Sequence, residues 1–251
     1  MRVGVTGAAG RMGREVCKTV LAAPDMSLVF AVDLNVADAT DYAIESDLGY
    51  ALGKGVDAVV DFTHPNAAAQ NALQILDANA VPIIGTSGVR SDDLKSIGEK
   101  ATERSLSALY IPNFAIGAVL MMKFAQEAAK YLPEVEIIEM HHDKKADAPS
   151  GTAIRTAEMI AEARTRDPIQ PKTEMIKHEG ATGAVLGKTH VHSVRLPGLV
   201  AHQMVMFGAP GESLTIRHDS LDRSSFMSGV ALAIRNCRKH KGLVVGLENL
   251  L

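Results

Sequence analysis

The chain opens with a short apolar run over residues 2–6, and further runs lie at 28–33, 56–62, 81–85 and 106–111. Most are hydrophobic at consecutive positions rather than alternate ones, the pattern of strands buried on both faces. Between them lie stretches with helical spacing: 11–22, closed by Pro24, then 66–79 and 91–104. In the first, Met12, Val16, Val20 and Leu21 can share one face. Strands alternating with helices predict a parallel sheet covered on both sides.

After Pro112 the rhythm changes. Residues 117–131 predict a helix rich in Ala and Met, 135–140 a strand, and 150–164 another helix. Beyond Val185 the pattern turns antiparallel, with strands at 189–195, 203–207 and 213–218 separated by Pro197-Gly198 and Ala209-Pro210-Gly211 turns. A helix at 226–237 and the apolar Leu243-Val244-Val245 return to the first pattern. The expected organisation is a discontinuous first domain, 1–112 plus 221–251, with a second domain, 113–220, inserted into it. The second domain's ribbons have no following helices to cover both faces, which leaves an open sheet suited to self-association.

Composition narrows the choice of function. The 251 residues are 47% hydrophobic, yet no apolar run approaches the about 20 residues that cross a bilayer. The start reads as a strand and not a secretory signal, so a soluble, cytoplasmic protein is expected. Cys17 and Cys237 read as separate reduced thiols. With 26 basic and 29 acidic residues, 4% aromatics and no Trp, the chain offers nucleic acid neither attraction nor a stacking platform. The basic cluster Arg235, Arg238, Lys239, His240 and Lys241 reads as a solvated helix end.

Chemistry is concentrated in two places. The first is the turn Gly7-Ala8-Ala9-Gly10-Arg11-Met12-Gly13, which follows a strand and opens a helix. Its spacing is G-x-x-G-x-x-G, and the strand–turn–helix context gives it meaning. Gly7 permits the tight turn, Gly10 lets backbone N–H groups reach a pyrophosphate, and Gly13 allows close helix–strand packing. Asp33 ends the next strand 20 residues after Gly13, placed to accept hydrogen bonds from ribose hydroxyls. Leu34 and Asn35 supply no cation for a 2′-phosphate, although Arg11 is near, so NADH is the preferred or well-used cofactor and NADPH is also admitted. Phe62 and Thr63, then Gly85, Thr86 and Ser87, then Pro112, Asn113 and Phe114 follow successive strands, where they can flank the nicotinamide. His64, beside Pro65, reads as a turn or capping residue and carries no assigned role.

The second place is His141-His142-Asp143-Lys144-Lys145-Ala146-Asp147, running into Ala148-Pro149-Ser150-Gly151-Thr152 and a helix. Ser150 or Thr152 can cap that helix, and its free N–H groups suit a carboxylate. A nearby lysine adds charge, and imidazoles can move a proton. A metal is not expected: adjacent histidines on a strand point to opposite faces, no H-E-x-x-H pattern occurs, and lysines crowd the segment.

These motifs resemble the 4-hydroxy-tetrahydrodipicolinate reductase family, formerly called dihydrodipicolinate reductases, over essentially the whole chain. The resemblance also rests on Asp61-Phe62-Thr63, Gly85-Thr86-Ser87-Gly88, His192-Ser193-Val194-Arg195-Leu196-Pro197-Gly198 and Ile216-Arg217-His218-Asp219-Ser220. It implies a Rossmann-like dinucleotide-binding domain and an inserted mixed α/β domain with an open, largely antiparallel sheet that builds a homotetramer. It implies that His141 is the catalytic histidine and Lys145 the catalytic lysine. His142, Lys145, Ser150, Gly151 and Thr152 would hold a small cyclic dicarboxylate substrate. Two departures stand out. Ser87 sits where the family often has threonine, and Thr182, in Gly180-Ala181-Thr182-Gly183, where it commonly has arginine. The competing readings are another two-domain NAD(P)-dependent reductase of an amino-acid-like carboxylate and a non-catalytic dinucleotide sensor. A sensor has no need of a lysine and paired imidazoles beside a carboxylate site.

Overall fold

The computed structural model describes residues 1–35, 41–170, 173 and 175–251. In chain order the elements are β1 (Arg2–Thr6), α1 (Arg11–Ala22), β2 (Ser27–Val32), β3 (Ile44–Glu45), α2 (Leu48–Leu52), β4 (Ala58–Asp61), α3 (Pro65–Asp77), β5 (Val81–Ile84), α4 (Ser91–Glu103) and β6 (Ser107–Tyr110). They continue with α5 (Ile116–Ala128), β7 (Val135–His141), α6 (Gly151–Ala163), β8 (Ala184–Leu186), β9 (Thr189–Arg195), β10 (Ala201–Ala209), β11 (Glu212–Ser220), α7 (Met227–Asn236) and β12 (Gly242–Val245). Two compact units result: Met1–Ile116 with Arg223–Leu251, and Gly117–Asp222.

The first unit is an α/β fold on a seven-stranded sheet of order β12-β6-β5-β4-β1-β2-β3, all of its pairings parallel. From β1 the chain moves outward to β2, then crosses to β4 on the other side. That reversal opens a crevice at the carboxyl ends of β1 and β4, where α/β folds bind ligands. β4 and β5 are buried throughout, as their apolar sequences require, and the burial extends to Asp61 at the end of β4. One core cluster, with Ala72, Leu76, Ile84 and Ile97, packs α3 and α4 against the sheet; another gathers Phe30, Val59 and Ile75 beside α2. Each fully buried Ile or Leu stabilises the fold by about 1.5–3 kcal/mol. Leu243-Val244-Val245 lies in β12, an edge strand paired with β6. The basic residues at the end of α7 do more than meet solvent: Arg235, in its last turn, pairs with Asp25, and Arg238, just beyond it, with Asp57. β3 and α2 have no counterpart in the apolar pattern, because elements of two and five residues are too short to show a period.

The second unit carries a five-stranded mixed sheet of order β11-β10-β7-β9-β8. β9 and β10 are consecutive in sequence but not neighbours; β7 lies between them, antiparallel to β10 and parallel to β9. Val135, Ile137 and Glu139 of β7 are buried, while Glu136, Ile138 and Met140 fall on the opposite face and are more accessible. That outer face adds Val194 of β9 with Met204 and Met206 of β10, of which Val194 and Met206 are exposed. Among the described residues no helix is long and apolar enough to cross a membrane.

Candidate active site

In the first unit the glycine turn is built by close backbone approach. Gly7 has φ +74°, and a Cβ there would strike the Phe62 carbonyl. A Cβ on Gly13 would strike the backbone of Gly7 and Ala8, so helix and turn pack only because the side chain is missing. Buried Ala8 anchors the turn by donating to Val32 O at 3.1 Å. Gly10 precedes α1 without a side-chain cap, which suits the helix N-terminus to an anionic group. Asp33 is tied to the turn: its Oδ2 accepts from Ala9 N and its Oδ1 from Asn35 N, both at 2.9 Å. Each oxygen keeps a lone pair for a hydroxyl donor.

Two clefts flank Phe62 and Thr63. One, of about 590 Å³, is lined by Gly7, Gly10, Asp33, Asp47 and Asn71 among others. The other, of about 400 Å³, is lined by Met12, Phe62, Thr63, Gly85, Thr86, Ser87, Pro112 and Phe114, with Pro65 and Phe226. The Phe62 and Phe114 rings lie 5.7 Å apart, and a Cβ on Gly85 would strike both. The expected cofactor residues therefore share one edge of one sheet. Arg11 is exposed beside them, and Asn113 accepts from Ala115 N at 2.9 Å, shaping the turn into α5. The residues fit a dinucleotide: a glycine cradle, an uncapped helix terminus and an acid placed for ribose. His64 caps α3, its Nδ1 accepting from Asn66 N at 3.3 Å.

One residue in this region escaped the sequence reading as a functional group. Asp61 is fully buried and accepts from Thr6 Oγ1 (2.9 Å), Thr63 N (3.1 Å), Thr63 Oγ1 (2.7 Å), Asn71 Nδ2 (2.8 Å) and Thr86 Oγ1 (3.0 Å). An acid ending an otherwise apolar strand, with threonines nearby, was the available signal.

In the second unit β7 delivers Glu139 and His141 to one face, two residues apart. Glu139 Oε2 lies 2.5 Å from His141 Nδ1, and the acid is fully buried. Arg195, beside His141 in the β7–β9 register, donates to both Glu139 oxygens and to Asp147 O. Burial pushes the Glu139 carboxyl up, but hydrogen bonds from His141, Arg195 and Ser193 outweigh it and hold the group at about 2. Glu139 also accepts from Ser150 N at 3.2 Å, and Ser150 Oγ caps α6 by accepting from Ala153 N at 3.2 Å. One buried carboxylate thus fixes the histidine and the turn before α6. Gly151 and Thr152 open that helix, and a Cβ on Gly151 would meet nothing within 4 Å, so its surroundings are open to a ligand.

Lys145 lies beyond this core, its Nζ 2.7 Å from Asp147 Oδ1, and His142 is exposed. His141, Lys145 and Ser150 are joined through Glu139, Arg195 and Asp147. Arg195 stands in the His192–Gly198 motif with no role of its own, and Glu139 lies inside the strand predicted at 135–140. A glutamate at a β7 position that alternation assigns to the core was the sign. Thr182 contributes its carbonyl, 2.6 Å from His190 Nδ1.

A dinucleotide cradle at the switch point of a parallel sheet, with a second unit carrying histidine, lysine and a helix N-terminus, defines a nucleotide-dependent oxidoreductase. Residues 1–114 match the family model described as dihydrodipicolinate reductase, N-terminus, and residues 117–251 match its C-terminus counterpart. The chain is 49% identical to the 4-hydroxy-tetrahydrodipicolinate reductase of Listeria welshimeri, covering 100% of both chains. It is also 49% identical to that of Syntrophomonas wolfei, covering 100% of this chain and 98% of the relative. A solved structure, the dipicolinate-bound dihydrodipicolinate reductase from Paenisporosarcina sp. TG-14, superposes with a TM-score of 0.90 at 43% identity, covering 100% of this chain and 99% of that one. The chain belongs to the dihydrodipicolinate reductase family.

Proposed function

We propose that this protein reduces 4-hydroxy-tetrahydrodipicolinate, by way of dihydrodipicolinate, to tetrahydrodipicolinate in lysine and diaminopimelate biosynthesis. The observation that carries the reading is the Glu139–His141 pair joined through Ser150 to the N-terminus of α6. The names of the relatives support the substrate, and the dipicolinate held by the solved homologue supports a small cyclic dicarboxylate.

The first unit binds the cofactor. Backbone N–H groups at the start of α1 receive the pyrophosphate and Asp33 receives the adenosine ribose. Asp33 and Asp47 on the adenosine-side cleft favour NADH over NADPH, because a 2′-phosphate would meet carboxylates. Loss of water from the 4-hydroxy compound leaves the conjugated C=C–C=N system of dihydrodipicolinate, to which bound NAD(P)H would supply a hydride. In the second unit His142, Lys145 and the Ser150-Gly151-Thr152 turn hold the carboxylates. Lysine side chains are protonated at neutral pH, so we assign the proton that completes reduction to Lys145, assisted by His141. Lys145 exchanges Asp147 for a substrate carboxylate when it does so. Glu139 fixes the His141 ring by holding Nδ1, which turns Nε2 outward.

We further infer a cytoplasmic homotetramer. The outer sheet face of Ile138, Met140, Val194, Met204 and Met206 supports self-association, and the buried free thiols Cys17 and Cys237 support a reducing compartment. The test is calorimetric titration of dipicolinate into the NADH-loaded protein. Saturable binding that weakens at least tenfold in Lys145→Ala supports the assignment. Equal binding by wild type and variant removes Lys145 from the site.

A further inference from the structure

We propose that Asp61 is an electrostatic determinant of the cofactor site, a buried negative charge that makes the protein favour the oxidised over the reduced nicotinamide. The inference rests on the reading that the nicotinamide occupies the cleft of Thr63, Thr86 and Phe114. Asp61 is 0% exposed and receives five hydrogen bonds, from Thr6, twice from Thr63, from Asn71 and from Thr86. At least two of these donors, the Thr63 N–H and the Asn71 amide, can only donate, and the whole set complements an ionised carboxylate, which only accepts. Among the described residues Asp61 has no cationic partner, and no residue lining the adjoining cleft is charged. This differs from Glu139, whose charge Arg195 offsets.

The carboxylate stands directly behind the cleft wall, since its donors Thr63 and Thr86 both line that cleft. A purely structural hub could be built from neutral groups. An uncompensated charge in a low-dielectric wall projects its field into the cleft instead. Giving up hydride leaves the nicotinamide ring cationic, and a fixed anion stabilises that change as charge develops. For unit charges roughly 10 Å apart at an effective dielectric of about 30, the effect on a binding ratio is about six- to sevenfold.

The experiment measures dissociation constants of NADH, NAD⁺ and ADP-ribose for the full-length wild type and for Asp61→Asn by calorimetry. The expected result is that NAD⁺ binding weakens at least about threefold more than NADH binding, with ADP-ribose binding unchanged. An unchanged NAD⁺/NADH ratio, or equal weakening of all three ligands, overturns the proposal and leaves Asp61 as a structural hub. Should Asp61→Asn fail to fold, Asn71→Lys sets an ammonium beside Asp61 Oδ2 and must shift the ratio the same way; no shift again overturns it. Ser87→Trp, which fills the cleft from an exposed position, separates the underlying reading. If it leaves NADH binding intact, the nicotinamide lies elsewhere and both readings fall; if it abolishes the NADH–ADP-ribose difference, the ratio in Asp61→Asn decides alone.

Discussion

Arg195 reaches from β9 to the Glu139 carboxylate on β7 with two hydrogen bonds, 2.9 Å to Oε2 and 2.8 Å to Oε1. Glu139 is fully buried, so removing Arg195 takes away its guanidinium partner and two hydrogen bonds, leaving His141, Ser193 and Ser150 to hold the charge. Arg195→Met is therefore expected to destabilise the protein by about 3–5 kcal/mol. Denaturant unfolding of variant and wild type at neutral pH checks this. A change below about 1 kcal/mol would mean that His141 and Ser193 suffice to hold the acid.

The same acid sets a pH dependence. Its folded-state value of about 2 lies below its ordinary 4.5, so the stability it contributes is present above about pH 4.5 and is lost as pH falls through about 2. Other depressed carboxylates titrate in the same range, so the useful quantity is the difference between wild type and Glu139→Gln. That difference should shrink steadily between pH 4.5 and 2. A difference independent of pH over this window rules out the ionised pair.

Glu139→Gln should also lower kcat at neutral pH by about ten- to a hundredfold through misorientation of His141, while NADH affinity stays normal. His141→Ala should chiefly lower kcat, and His142→Ala chiefly raise substrate KM. Lys145→Ala should do both, since acid assistance is worth about 10² to 10⁴ in rate. Steady-state kinetics with direct NADH titration separate these effects. A Lys145→Ala enzyme keeping more than about a tenth of wild-type kcat keeps Lys145 as an anchor only.

Much of this was legible in the residues. The alternation of apolar runs with helical stretches revealed the parallel sheet, and Gly7, Gly10, Gly13 and Asp33 marked the carboxyl edge where ligands bind. Strand order in the second sheet was not legible, because β7 enters between β9 and β10 by pairing over more than fifty residues. Periodicity reports which face is buried, not which strand is adjacent. For the same reason Asp61 and Arg195 stood in motifs without roles and Glu139 went unmarked within its strand: what they do arises when distant segments meet.

The proposed preference for NADH is tested at Asp33 and Asp47. NADH should support a kcat/KM at least equal to that of NADPH, and Asp33→Ser should move the ratio toward NADPH by about tenfold, or 1.4 kcal/mol. If wild type prefers NADPH by more than tenfold, Arg11 or another cation outweighs these acids.

Assembly is checked by light scattering across the assay concentration range. A mass of four chains is expected, and Met206→Glu, on the outer face of β10, should shift it toward smaller species. A stable monomer in the wild type would contradict the association face.

The most direct measurement supplies freshly synthesised 4-hydroxy-tetrahydrodipicolinate and NADH to the purified protein and follows loss of the reduced-nicotinamide absorbance together with tetrahydrodipicolinate formed. Stoichiometric oxidation of one NADH per product, abolished when substrate is omitted and strongly reduced in His141→Ala and Lys145→Ala, is the expected result. Folded protein that binds NADH yet oxidises none of it in the presence of that substrate would contradict the proposed reaction.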